Sequence, residues 1–161
     1  MAYYDSIAEG YDELHREEQL KKLKIIKENL IINENDKLLD VGAGSGISSD
    51  FNCEVYALDP SERLLNQIKN KKIRKIKARA EEIPFEDGFF DAVISVTSIH
   101  NFDDIEKGLL EMKRVGKNRF AFSVLKKSKK FDIIKKLIRK HFKVNKTVEE
   151  EEDIIFFCEK E

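Results

Sequence analysis

The stretch LLDVGAGSGISSDFNCEVYALDP, from Leu38 to Pro60, constrains the fold more than any other. Lys37–Val41 has the length and apolar content of a strand. Gly42, Gly44 and Gly46 follow at alternate positions, and a second apolar run, Glu54–Leu58, leads into Asp59. Such glycines let the backbone turn tightly and approach a ligand closely. An acid at the tip of the neighbouring strand can accept both hydroxyls of a ribose. Parallel strands joined this way need a crossover, normally a helix. Only six residues separate Gly46 from Cys53, too few for a normal one, so the helix is predicted to be reduced to a turn.

The rest of the chain alternates strand and helix. Leu14, Leu20, Leu23, Ile26 and Leu30 recur at spacings near three and four, which predicts an amphipathic helix over 13–30. A helix is expected over Ser61–Asn70, with Ser61 as its N-cap. Ile73–Ala78 reads as a short edge strand, since its Arg and Lys discourage edge pairing. Glu81–Phe90 is loop, and Asp91–Ser98 a central strand. Asp103–Val115 is a helix with Ile105, Leu109, Met112 and Val115 inward, and Arg119–Leu125 is the next strand. Lys129–His141 is a helix with Ile133, Ile134, Leu137 and Ile138 inward. HFKVNKTV and DIIFFCE, joined by the acidic turn Glu149–Asp153, form an antiparallel hairpin. This order predicts an α/β fold in which one mostly parallel, seven-stranded sheet carries helices on both faces and ends in the hairpin.

Thirty basic and 31 acidic residues nearly cancel, so no global field points at nucleic acid. Charged residues make up 38% of the chain, against a usual share of about 25%. The Lys/Glu excess fits a heat-adapted protein or simply a very soluble surface. Cys53 and Cys158 form no metal or disulfide pattern. The N-terminal segment has no apolar run of signal-peptide type, and no stretch approaches the roughly 20 apolar residues that span a bilayer. A cytoplasmic protein is expected. Lys126–Lys146 is strongly basic, with Asp132 its only acid. That segment reads either as a contact for RNA phosphates or anionic lipid, or as the solvated face of an amphipathic helix. The acidic run beside it favours the second.

Several segments together resemble the class I S-adenosylmethionine-dependent methyltransferases. LLDVGAGSG is similar to the family's first motif, ALDPSERLL to its acid-ended second strand, and AEEIPFEDGFFDAVIS to the approach to its fourth. SIHNFDDIEKGLLEMKRV resembles the segment beyond, and YDSIAEGYDELH the N-terminal cap of the ubiquinone/menaquinone C-methyltransferase branch. A NAD site is the weaker reading, because Ile47 stands where GxGxxG needs its last glycine. The resemblance implies one Rossmann-like domain over 1–161, with residues 1–30 as a helical cap and 36–161 as the cofactor-binding core. The implied cofactor is S-adenosylmethionine, leaving as S-adenosylhomocysteine.

The resemblance also implies site residues. Asp59 takes the ribose, Pro60 lies against adenine, and Gly42, Gly44 and Gly46 form the turn. Asp40 and the Val96 carbonyl serve the methionine ammonium, Ala80 and Glu81 meet the adenine edge, and Tyr11 of the cap folds over the cofactor. Many members carry Asp just before that Ala. Here it is Arg79, so Glu81 or backbone alone would hold the adenine edge. Methyl transfer from a sulfonium is an in-line displacement that needs a base only if the acceptor must lose a proton. His100, after the fourth strand, is the candidate base or orienting residue, and Asn101 a weaker neighbour. Arg16 is a candidate partner for the cofactor carboxylate. The fourth strand lacks NPPY or DPPY, against methylation of adenine N6 or glutamine.

The expected acceptor is therefore a small molecule. The alternatives are an RNA-modifying enzyme with a small activator protein, and a non-catalytic cofactor-binding module. No metal and no membrane contact are expected. The shortened crossover should leave Phe51 thinly covered; either the N-terminal helix shifts over it or another chain does, and a dimer or a small protein partner docked near Ser48–Asn52 is the expectation.

Overall fold

A computed structural model describes residues 2–44, 46 and 51–161, with side chains from Leu14 onward. The helix α1 (Ala2–Asn29) leads into β1 (Lys37–Val41). β2 (Glu54–Asp59), α2 (Glu62–Asn66), β3 (Arg74–Lys77) and β4 (Phe90–Val96) follow. The chain continues through α3 (Ile105–Val115), β5 (Gly116–Leu125), α4 (Phe131–His141), β6 (Lys143–Glu149) and β7 (Asp153–Glu159). The seven strands form one sheet in the order β3-β2-β1-β4-β5-β7-β6. Only β7 runs against its neighbours, as the hairpin reading expects.

Side chains alternate faces along each strand. Leu39, Val41, Val93, Phe120 and Phe122 pack on one face beneath Leu109 and Met112 of α3 and Ile134 and Ile138 of α4. Leu38, Ala92, Ile94 and Ala121 point to the other, where Leu23 and Ile26 of α1 and Leu30 just beyond it cover them. Two residues expected inward are not: Leu14 is 57% exposed and Ile133 49%. Leu14 lies a good two turns before the buried Leu23, Ile26 and Leu30. The facing positions of α4 are filled by Ile134 and Ile138.

α2 is shorter than its sequence suggests, ending at Asn66 with Gln67 as its C-cap, because Lys69, Lys71 and Lys72 offer no apolar face beyond Ile68. Ser61 caps it, its Oγ accepting from the Leu64 N–H at 3.2 Å. β5 begins three residues early, at Gly116.

Among the described residues no helix lies between Gly46 and Glu54. The expected thin cover over Phe51 is not found: its ring is only 7% exposed and belongs to the cluster of Leu23, Ile26 and Leu30. The uncovered face that motivated the docking expectation is thus absent among the described residues, where α1 and Phe51 itself cover this part of the sheet. The Lys27 ammonium lies 5.4 Å from the Phe51 ring centre, a cation–π distance. Positions 48–50 of the anticipated docking surface lie outside the described residues. No helix among the described residues is long and apolar enough to cross a membrane.

Candidate functional site

The site lies where the carboxyl ends of β1, β2 and β4 meet. β1 pairs with β2 on one side and β4 on the other, so the loops leaving these strands open onto a common cleft, the usual place for a ligand in an open α/β sheet. The Gly42 N–H and Ala43 N–H both reach the Leu58 carbonyl, at 2.8 and 3.1 Å, which folds the glycine turn toward the tip of β2. Gly42 has φ +76, and a Cβ there would stand 2.6 Å from the Ser98 Cβ. Only glycine allows that approach. Ser98 Oγ donates to the Gly42 carbonyl at 3.0 Å, and Ser95 Oγ to the Val41 carbonyl at 2.9 Å. Gly46 serves packing: its absent Cβ makes room for Ile68, 2.6 Å away.

Asp59, 7% exposed, is held on both oxygens. Oδ2 accepts from the Gly44 N–H at 3.0 Å and Oδ1 from the Ser61 N–H at 2.9 Å. With Ser61 capping α2, the carboxylate is not spent on the helix and its remaining lone pairs are available to the cleft.

Two joined cavities flank Asp59. One, of about 320 Å³, is mostly apolar and lined by Val41, Leu58, Pro60, Leu64, Ala80 and Phe102, with Arg79, Glu81 and Asp103 at its edge. The other, of about 240 Å³, is more polar and includes His15, Gln19, Asp40, Gly44, Val96 and Thr97. Gly42, Asp59, Leu64, Ser98 and Asn101 line both. The cleft thus brings together Asp40, Gly42, Gly44, Asp59, Pro60, Ala80, Glu81 and Val96. Gly46 and His100 line neither cavity. The Tyr11 side chain, with those of Tyr3, Tyr4 and Asp12, lies outside the described residues. Arg16 is exposed on α1.

His100 sits on a 3-10 turn, Ile99–Asn101, that turns Asn101 into the cleft. Its carbonyl accepts from Lys130 Nζ at 3.1 Å. Burial lowers its pKa below the ordinary histidine value, against the pull of nearby Asp153, so the ring is neutral at neutral pH. Among the described residues its Nδ1 has no hydrogen-bond partner. Glu81 Oε2 accepts from the Asp104 N–H at 2.9 Å, fixing the start of α3.

Thr97, Gln19 and Lys22 went unread in the sequence. Thr97 has φ 51, rare for a β-branched residue. Its Oγ lies 2.6 Å from Asp153 Oδ2 and accepts from Lys22 Nζ at 2.9 Å. Lys22 pairs with Asp153 Oδ1 at 3.1 Å, and both side chains are buried. Ser123 Oγ donates to Asp153 Oδ2 at 2.6 Å. This cluster ties α1, β4, β5 and β7 together behind the polar cavity. Its only sequence signal was a polar run at the end of an apolar strand.

Residues 39–122, over half of the chain, match the family model of the methyltransferase domain. A ubiquinone/menaquinone biosynthesis C-methyltransferase of Rickettsia prowazekii is 30% identical, over 88% of this chain and 66% of that protein. The chain spans about half to two thirds of the length of the curated relatives it matches. A SAM-dependent methyltransferase of Aquifex aeolicus superposes with a TM-score of 0.72 at 21% identity, covering 89% of this chain and 98% of that one. A chain from a Haloferax volcanii complex between a methyltransferase activator and a methyltransferase gives 0.77 at 14% identity, covering 95% and 94%. At these identities the two structures bear on the fold alone.

Proposed function

Since this chain belongs to the methyltransferase-domain family, in its class I S-adenosylmethionine-dependent type, we propose that it transfers a methyl group from S-adenosylmethionine to a small-molecule acceptor. The carrying observation is Asp59, fixed by the Gly44 and Ser61 N–H groups between an apolar and a polar half of one cleft. The residues fit the cofactor. An apolar cavity of about 320 Å³ suits a heterocyclic base, and ligand pockets begin at about 300 Å³. The buried Asp40 carboxylate in the polar half suits an ammonium group.

The cofactor supplies the electrophilic methyl group and the leaving group. The chain's residues bind, orient and exclude water. Asp59 fixes the ribose, Gly42 and Gly44 let backbone approach it, and Asp40 with the Val96 carbonyl orients the amino-acid end. Tyr11 is proposed to close over the site from α1. Asn101, which lines both cavities, is placed to contact the cofactor or acceptor. His100, neutral at neutral pH, is proposed as a base only for an acceptor that must lose a proton. A small acceptor is supported by the quinone-pathway names of the relatives.

The test is transfer of a labelled methyl group to a panel of demethylated quinone precursors and, in parallel, to tRNA, with products read by mass spectrometry. The expected result is label on a small molecule. Label on RNA alone, or only when a small activator protein is added, would overturn the small-molecule assignment.

A further inference from the structure

We infer that Arg79 and Asp103 form a single recognition unit that reads the hydrogen-bonding edge of the adenine base, with Asp103 accepting from its exocyclic amine. The inference rests on the cofactor assignment above.

With Asp59 on the ribose, the base lies on the apolar side of that acid, among Leu58, Pro60, Leu64, Ala80 and Phe102. Three charged side chains stand at the edge of this cavity: Arg79, Glu81 and Asp103. Glu81 is buried and held at the start of α3, away from the exposed rim where Asp103 stands. Its Oε2 accepts from the Asp104 N–H, and its Oε1 lies 3.8 Å from Arg79 Nε. That leaves the other pair. Arg79 Nη2 donates to Asp103 Oδ2 at 2.9 Å, which leaves Asp103 Oδ1 and further guanidinium N–H groups without a partner among the described residues.

An adenine edge offers a donor, the exocyclic amine, beside an acceptor, the ring nitrogen N1. A carboxylate oxygen beside a guanidinium N–H offers the complement. Arg79 alone would set a donor against the amine. Asp103 removes that conflict, so neither residue is sufficient by itself.

The Asp103 side chain is 80% exposed, yet its backbone is held on both sides. The Phe102 ring wedges against α3 so closely that a Cβ on Gly108 would lie 2.5 Å from it. Asp104 caps α3, accepting from the Lys107 N–H at 3.1 Å while its own N–H is held by Glu81. Arg79 is fixed by the turn in which its carbonyl accepts from the Glu82 N–H. The backbones that carry the pair are therefore set before a base arrives, and the 2.9 Å bond between the two side chains holds their polar ends together.

Calorimetry with S-adenosylhomocysteine and its deaminated inosine analogue tests the assignment. The analogue presents a carbonyl and a ring N–H, reversing both positions. Native protein should prefer the adenine form by at least roughly 100-fold, as expected for a site built to hydrogen-bond its ligand. Asp103→Asn can turn an amide N–H toward the carbonyl, so its preference should fall about tenfold or more. Arg79→Leu should weaken the adenine form with an unchanged melting temperature. If native protein binds neither compound, the cofactor assignment itself fails and this inference with it. If native protein binds and discriminates, but Asp103→Asn keeps the same affinity and preference within twofold, the pair is not the reader.

Discussion

Single residues decide how the glycine turn and its neighbours hold the cleft. Gly42 combines a left-handed backbone with contact against Ser98, while Gly44, φ +55, has nothing within 4 Å of where a Cβ would stand. The two should therefore respond differently to alanine. Gly44→Ala should lose only the left-handed backbone term, about 1–2 kcal/mol. Gly42→Ala should lose that and the Ser98 contact, about 2–4 kcal/mol in all. Urea denaturation of both variants checks this, and equal losses would contradict it.

His100 makes a prediction in pH. Its pKa is lower folded than unfolded, chiefly through burial. The unfolded chain therefore binds its proton first as the pH falls. Stability should drop as pH goes down through about 6.5, the ordinary histidine value, toward the folded pKa. His100→Gln should flatten that limb of the stability curve. A native curve already flat between pH 7 and 5.5 would contradict the assignment. The roles of Asp59 and the glycines could be read from sequence because they are written in residue type and spacing. Those of Thr97, Lys22 and Asp153 could not, since they lie 56 to 131 positions apart and meet only in the fold.

At the scale of elements, the buried Lys22–Asp153 pair fastens α1 to β7 at the back of the polar cavity. Removing one partner leaves a buried charge, so Asp153→Ala should cost about 3–5 kcal/mol. Lys22→Met with Asp153→Asn leaves no net charge and should recover most of that loss. A double variant as unstable as Asp153→Ala alone would show that the hydroxyl bonds of Thr97 and Ser123, not the charges, carry the energy. The strand count, the mostly parallel sheet and the closing hairpin were legible, since the alternation of strand and helix segments and the acidic turn before the last strand point to them. Helix limits were less so. Ile133 fits the periodicity of α4 yet is half exposed, because the inward positions fall to Ile134 and Ile138. A periodicity shows which side of a helix is apolar, but not how far the sheet beneath it extends.

At the scale of the molecule, the shortened crossover is offset within the chain. α1 and Phe51 close the face that a helix would cover, and the Phe51 ring is buried. Phe51→Asp should therefore destabilise by about 3–5 kcal/mol through lost packing and a buried carboxylate. Light scattering should give the same mass for native protein and variant at equal concentration. A native dimer that dissociates in the variant would mean that a second copy shares the covering of this face. A variant of unchanged stability would contradict the packing account.

The central claim is that this cleft binds S-adenosylmethionine through Asp59, and isothermal calorimetry with S-adenosylhomocysteine addresses it most directly. Native protein should show saturable binding of one ligand per chain. Asp59→Ala should lose at least about tenfold in affinity, since each hydrogen bond to a charged group contributes roughly 1.5–3 kcal/mol. No heat and no thermal shift at millimolar ligand, or equal binding by native protein and Asp59→Ala, would contradict it.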